Sequence, residues 1–194
     1  MSVYNFAPMP QKGIGTTSFV TWENGFTHEE LTDIVAAGES KGFGRGLAGG
    51  KVSNYRKSNV SWLSYNDIPT VYDKMAYIAR NLNAQYYRFD LTGFHENMQF
   101  TVYHGDEEGH YDWHVDQMAD GQVPRKFSMV LQLSDPYEYE GGDLEVMTSN
   151  AAAPVPKQKG LVAAFPSYIL HRVTPVTSGI RKTLVVWCCG PPFR

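Results

Sequence analysis

Two periodicities divide this chain. Up to about residue 85 the apolar residues recur mainly at helical spacing. Beyond it they alternate with polar ones in short runs closed by turn residues. Thr27-His28-Glu29-Glu30 is a capping box, with Glu30 three residues after Thr27. Leu31, Ile34 and Val35 then share one helical face, and Gly38 offers a stop. A second helix is expected from Pro69, a favoured first-turn residue, with Val71, Met75, Ile78 and Leu82 as its core-packing stripe. Residues 19–22 and 59–63 read as short strands. Further on, eight strands are predicted over 86–91, 97–104, 110–115, 126–133, 142–147, 160–166, 171–176 and 181–188. That spacing suggests an antiparallel sandwich or barrel. No repeat or second change of texture follows, so residues 1–194 are expected to form one domain. Helical support would occupy about 19–85 and a β core about 86–190.

Composition narrows the function classes. The 194 residues suffice for one hydrophobic core. A net charge of -3 gives no general pull toward nucleic acid or anionic lipid, so neither is expected as a partner. No apolar run is long enough to span a bilayer, and the first residues, rich in Pro and Gly, show no secretory pattern. The two cysteines, Cys188 and Cys189, are adjacent and close no useful loop, which suits reduced thiols and a cytoplasmic location.

Two apparent motifs fail on inspection. The glycine-rich run at 42–50 precedes Lys51, but Arg45 stands where a phosphate loop needs its first Gly, and Val52 replaces the Ser or Thr. It reads as a flexible loop that could cover a site. His110 and His114 have a metalloprotease spacing, but no Glu follows the first His, and Tyr111, Trp113 and Val115 favour a strand over a helix.

The remaining chemistry centres on His114-Val115-Asp116. On a strand, residues two apart project from one face, so an imidazole and a carboxylate could converge on one cation. By itself the triplet is weak evidence. His171, following a turn in the run 165–176, supplies a third ligand. Past the turn signals Pro175 and Gly179, Arg181 opens a largely apolar strand, where an unpaired cation would cost several kcal/mol if buried; an anionic ligand gripped bidentately is the natural partner. Two histidines, one carboxylate and an arginine for an acid describe the facial triad of non-haem iron oxygenases.

With these residues in view the chain resembles the 2-oxoglutarate- and Fe(II)-dependent dioxygenases, in particular the prolyl 4-hydroxylase-like group. The matching stretches are 103–116, Gly141-Gly142-Asp143-Leu144, the LHRVTPV run with His171, Gly179-Ile180-Arg181 and Trp187. Gly25-Phe26-Thr27 and Arg56-Lys57-Ser58 leading to Trp62 look like the N-terminal half of that group. The resemblance implies a double-stranded β-helix, or jelly roll, mainly β with N-terminal helices in support. It implies that His114, Asp116 and His171 hold Fe(II). The cosubstrate 2-oxoglutarate would chelate the iron and pair its distal carboxylate with Arg181 and Tyr103. Tyr111 and Trp187 match positions that meet the substrate peptide. Trp187 lies six residues beyond Arg181, on the same strand face; Tyr111 would need a bulge to join His114. Val115 is expected to turn away into packing.

The implied reaction consumes O2 and 2-oxoglutarate, releases succinate and CO2, and hydroxylates a prolyl residue in a peptide or protein, with ascorbate as support. Alternatives are the same chemistry on a small molecule such as a free amino acid, or a non-catalytic jelly-roll protein with a relic site. Nucleic-acid demethylation would ask for a second Arg where Trp187 stands, and halogenation for a vacancy where Asp116 stands. The loop 118–125 is expected to act as a lid, and the acidic, aromatic loop 134–141 is a second candidate gate. The oligomeric state is open.

Overall fold

The computed structural model describes residues 17–51, 53–116 and 123–192. After β1 (Val20–Trp22), the Thr27 hydroxyl accepts from the Glu30 amide at 3.2 Å and the Glu30 carboxylate accepts from the Thr27 amide at 2.8 Å. This reciprocal pair starts α1 (His28–Ser40) where the capping box predicts. Gly38 does not end the helix. It lies within it, buried, where a Cβ would sit 2.4 Å from the Phe100 ring, so glycine permits a close helix–sheet approach.

Next come β2 (Gly44–Arg45), β3 (Arg56–Lys57), β4 (Asn59–Leu63) and α2 (Pro69–Leu82). The predicted stripe of α2 is buried, joined by Ala79. The expected strand at 86–91 is absent. The chain instead makes a π-helical turn, Asn83–Tyr87, closed by Arg88 in the left-handed region at φ 53°. Tertiary contacts override β propensity there: Tyr87 is buried with its hydroxyl donating to the Ala164 carbonyl, and the Asn83 side chain bridges the backbone of Phe89.

The rest is strand: β5 (Gly93–Phe94), β6 (Met98–His104), β7 (His110–His114), β8 (Arg125–Gln132), β9 (Tyr139–Gly141), β10 (Leu144–Met147), β11 (Ala152–Pro154), β12 (Val162–Pro166), β13 (His171–Val173) and β14 (Val176–Cys189). Gly179 is not the turn it suggests. It sits inside β14 at φ 73°, where the strand changes partner from β9 to β6.

All strand pairings among the described residues are antiparallel. A nine-stranded sheet runs β1-β12-β8-β14-β6-β4-β2, with β5 and β9 also on β14, and a five-stranded sheet runs β11-β10-β13-β7-β3. Both helices cover the outer face of the larger sheet, where Phe100, Met129, Leu131, Leu184 and Val186 meet Ile34, Met75 and Ile78. A second core, with Val130, Leu144, Val146, Phe165 and Val173, fills the space between the sheets. This is a mainly β jelly roll backed by helices, as expected. Among the described residues no helix is long and apolar enough to cross a membrane.

The central strands therefore alternate between two interiors. Met98, Phe100 and Val102 face the helices, while Gln99, Thr101 and Tyr103 face the other sheet. In β14, Leu184, Val186 and Cys188 face the helices, whereas Arg181, Thr183, Val185 and Trp187 line a cavity between the sheets.

Candidate metal centre and cosubstrate cavity

Three elements bring the predicted ligands together. His114 closes β7, Asp116 lies two residues past it, and His171 opens β13 directly opposite His114. The Asp116 amide donates to the Ser167 carbonyl at 2.8 Å, tying the end of β7 to the turn before β13. One ligand atom from each of the three residues lies within 4.8 Å of the others. His114 Nε2 is 3.7 Å from one Asp116 oxygen and His171 Nε2 is 3.5 Å from the other.

Backbone carbonyls orient both imidazoles. His114 Nδ1 is 2.7 Å from the Asp112 carbonyl and His171 Nδ1 is 2.9 Å from that of Ile169. A carbonyl only accepts, so each Nδ1 carries the proton and each Nε2 turns a lone pair inward. Burial, reinforced by His171 nearby, lowers the His114 pKa to about 4, with Asp116 opposing. That keeps the ring neutral, as a metal ligand must be. Burial alone would raise the Asp116 carboxyl. His171, His114 and the Ser128 hydroxyl override it and hold the group below its ordinary value. Ser128 donates to one carboxylate oxygen at 2.6 Å and is itself 3.0 Å from Ser167 Oγ, leaving the other oxygen for a cation.

The triad opens into a cavity of about 410 Å³ lined also by Tyr103, Tyr111, Arg181 and Trp187. Arg181 is 1% exposed; its Nη2 donates to Gln132 Oε1 at 3.1 Å, its Nε has no partner, and no carboxylate among the described residues reaches it. It lies 5.4 Å from the centre of the Tyr103 ring, its cross-strand neighbour. A buried cation with an orphaned donor, at the far wall of a metal-ligating cavity, suits a ligand that carries an acid at one end and chelating oxygens at the other. The donor set of two neutral nitrogens and one carboxylate suits Fe(II) with open positions. The residues present fit both iron and 2-oxoglutarate.

The bulge that Tyr111 needs is there. Pairing between β7 and β13 slips by one residue, His171 opposite His114 but Val173 opposite Tyr111. Tyr111 thereby turns inward and stacks on the His114 ring, 3.4 Å between centres. Trp113 stays outside, under the Arg172 guanidinium at 4.6 Å. Val115 turns away from the site, as expected, but is 43% exposed rather than packed, because β7 has ended before it. Trp187 lies in the cavity wall with Arg125 3.6 Å from its ring and Trp62 beyond. Residues 118–122 of the expected lid lie outside the described residues. The glycine-rich run does reach the site: Gly42, Gly44, Arg45 and Leu47 line the mouth.

Sequence reading passed over Ser128, Gln132, Gln99 and Arg125, and took Arg56 only as part of a resemblance. A signal existed. In β8 the polar Lys126, Ser128 and Gln132 alternate with Phe127, Met129 and Leu131. Such alternation normally marks a solvent face; here all of these residues are buried and Ser128 and Gln132 serve the site.

Comparison with known proteins agrees with this geometry. Residues 98–189, from β6 to the end of β14, match the model of the 2OG-Fe(II) oxygenase superfamily. Among curated proteins, a PKHD-type hydroxylase of Synechococcus sp. (strain CC9311) is 39% identical over 89 residues, 46% of this chain and 40% of that one. Another from Teredinibacter turnerae is 42% identical over 85 residues, 41% of this chain and 37% of that one. The chain thus spans about 40% of the length of these relatives. Among solved structures, a Pseudomonas putida prolyl-4-hydroxylase superposes with a TM-score of 0.73 at 18% identity, covering 90% of this chain and 94% of that one. A Trichoplax adhaerens prolyl hydroxylase, solved with a hypoxia-inducible-factor peptide, gives 0.73 at 18% identity, covering 89% and 83%. These two likenesses show the fold. The likeness to the 2-oxoglutarate/Fe(II) oxygenase superfamily lies in residues 98–189, the stretch that holds His114, Asp116, His171 and Arg181.

Proposed function

We propose that this protein is a 2-oxoglutarate- and Fe(II)-dependent dioxygenase that hydroxylates a prolyl residue in a peptide or protein, with O2 as oxidant and ascorbate as support. One observation carries the reading: the half-buried His114 and Asp116 and the buried His171 face the same cavity as Arg181, a buried cation with no anionic partner among the described residues. The curated relatives are named hydroxylases, and the structural likenesses include prolyl hydroxylases, one of them with a peptide. We take residues 1–194 as one oxygenase unit. We place it in the cytoplasm, where the free, buried Cys188 and Cys189 would remain reduced.

His114, Asp116 and His171 would hold the iron, which, with O2 and 2-oxoglutarate, supplies the oxidising power. Arg181 would bind the distal carboxylate of the cosubstrate, with Tyr103 beside it as a further hydrogen-bond donor. Ser128 holds one oxygen of Asp116, so that the other is left free beside His114 and would be available to the metal. Tyr111 and Trp187 form the apolar walls that seat a pyrrolidine ring and exclude water from the reacting face.

The test is succinate release from 2-oxoglutarate by the iron-loaded protein, with and without proline-containing peptides, and mass spectrometry of the peptides. We expect faster release with peptide and a gain of one oxygen on proline. His114→Ala should abolish both; retained turnover in that variant would overturn the site assignment.

A further inference from the structure

The cavity holds a second buried guanidinium, and its surroundings match those of Arg181. Arg56 is 8% exposed and lines the same space. Each of the two arginines donates to a glutamine carbonyl, Arg56 to Gln99 at 2.8 Å and Arg181 to Gln132 at 3.1 Å. Each also lies over a tyrosine ring, Arg56 over Tyr111 at 4.5 Å and Arg181 over Tyr103 at 5.4 Å. Neither meets a carboxylate among the described residues. The other two arginines of the cavity wall are neutralised, Arg45 by Glu107 and Arg125 by Glu96.

Arg56 is fixed in place. Its Nε donates to Ser58 Oγ at 2.9 Å and its Nη1 to the Leu47 carbonyl at 3.2 Å. The chain at Gly46 presses so closely that a Cβ there would lie 2.5 Å from Arg56 Nε. Three acceptors leave two of the five guanidinium N–H donors uncommitted, the number a bidentate carboxylate takes. Tyr111 stacks in turn on His114, so this charge stands one ring away from the first metal ligand, on the mouth side where Leu47 and Trp62 also line the cavity.

Charge balance gives Arg56 a purpose. A divalent ion against Asp116 leaves one positive charge, and Arg181 and Arg56 add one each. Dianionic 2-oxoglutarate cancels two of the three. The remaining positive charge lies in a largely desolvated space, where one more anion is strongly favoured.

We propose that the primary substrate carries a carboxylate that Arg56 grips, with the oxidised carbon beyond Tyr111 toward the metal. The carboxylate would come either from an acidic side chain beside the target residue or from a free chain end. This rests on the dioxygenase reading above and specifies the substrate within it.

The test uses the full chain loaded with Zn(II), which does not turn over, and saturated with 2-oxoglutarate. Peptides are titrated against it by calorimetry or by the fluorescence of Trp62 and Trp187. The peptides form matched pairs around one proline: Asp against Asn, Glu against Gln, and a free against an amidated C-terminus. In the native protein at least one acidic member should bind about tenfold more tightly than its neutral twin, and that pair identifies the source. In Arg56→Gln the twins should bind alike, and Arg56→Lys should keep part of the difference. Thermal unfolding of each variant with Zn(II) checks that the cavity is intact. Twins that bind alike to the native protein would overturn the proposal, as would discrimination that survives in Arg56→Gln. Succinate release by the iron-loaded native protein, with or without peptide, reports on the parent reading separately. Its absence would sink the dioxygenase assignment, whereas its presence with indifferent twins would sink only the carboxylate.

Discussion

Arg181 should trade stability for binding, and the trade can be measured. In the free protein it is a cation 1% exposed, with an orphaned Nε and, among the described residues, only the Gln132 carbonyl as hydrogen-bond partner. Replacing buried ionic groups by well-packed apolar ones of similar volume is commonly neutral or stabilising by about 1–4 kcal/mol. Arg181→Met alone would leave Gln132 Oε1 without its donor, a loss of about 1–3 kcal/mol that can hide the gain. The double variant Arg181→Met/Gln132→Leu removes both partners and should unfold later than the native protein in the absence of ligand. At about 2–4 °C per kcal/mol for a chain of this size, a gain of several degrees is expected. The variants should also lose the cosubstrate. Two charge-assisted hydrogen bonds at about 1.5–3 kcal/mol each correspond to more than a hundredfold in affinity. The assay is thermal unfolding of the Zn(II)-loaded proteins with and without 2-oxoglutarate. At a hundred times its dissociation constant the ligand adds about 2.7 kcal/mol to the native protein; it should add nothing to the variants. A double variant that is less stable than native by more than about 2 kcal/mol, or that still gains from 2-oxoglutarate, would show Arg181 to be a structural element and refute the argument.

Two further outcomes follow from the metal centre. Ser128→Ala removes the hydroxyl that fixes Asp116 and should weaken Co(II) or Mn(II) binding about 10–100-fold, with Ser128→Thr restoring most of it; an unchanged affinity would deny Ser128 a positioning role. In the metal-free protein His114 titrates near pH 4 instead of 6.5, so between these values the unfolded chain binds a proton that the folded one refuses. Stability should therefore fall as pH drops from about 6.5 toward 4. Urea midpoints of native protein and His114→Gln across this window check it, and parallel slopes would contradict the assigned cause.

Much of the site was legible because its chemistry is short-range in sequence or strongly typed. His114 and Asp116 are two apart, so strand geometry alone suggests convergence. Arg181 is a cation in an apolar run, and that mismatch asks for a ligand. The bulge at Tyr111 was visible only as a requirement. Whether β7 slips against β13 depends on the register of a strand some sixty residues away, which no local pattern encodes. Gly38 and Gly179 misled for a related reason. Glycine signals backbone freedom or close approach, and sequence does not say which. At Gly38 it is the Phe100 ring, and at Gly179 a change of pairing partner within one strand.

The sequence by itself determined the helices of the first third, the β-rich remainder, the three candidate metal ligands and the arginine beyond them. These follow from periodicity, capping chemistry and side-chain type, all properties of neighbouring residues. Only the tertiary structure decided which polar faces look inward. Gln99, Ser128 and Gln132 alternate like residues of a solvent-facing strand, yet the second sheet covers them and makes them the lining of a cavity. Arg56 is the sharpest case. Its charge is evident in sequence, but its burial and its want of a carboxylate partner depend on β3 packing beside β7, and that pairing brings the second positive charge next to the metal ligands.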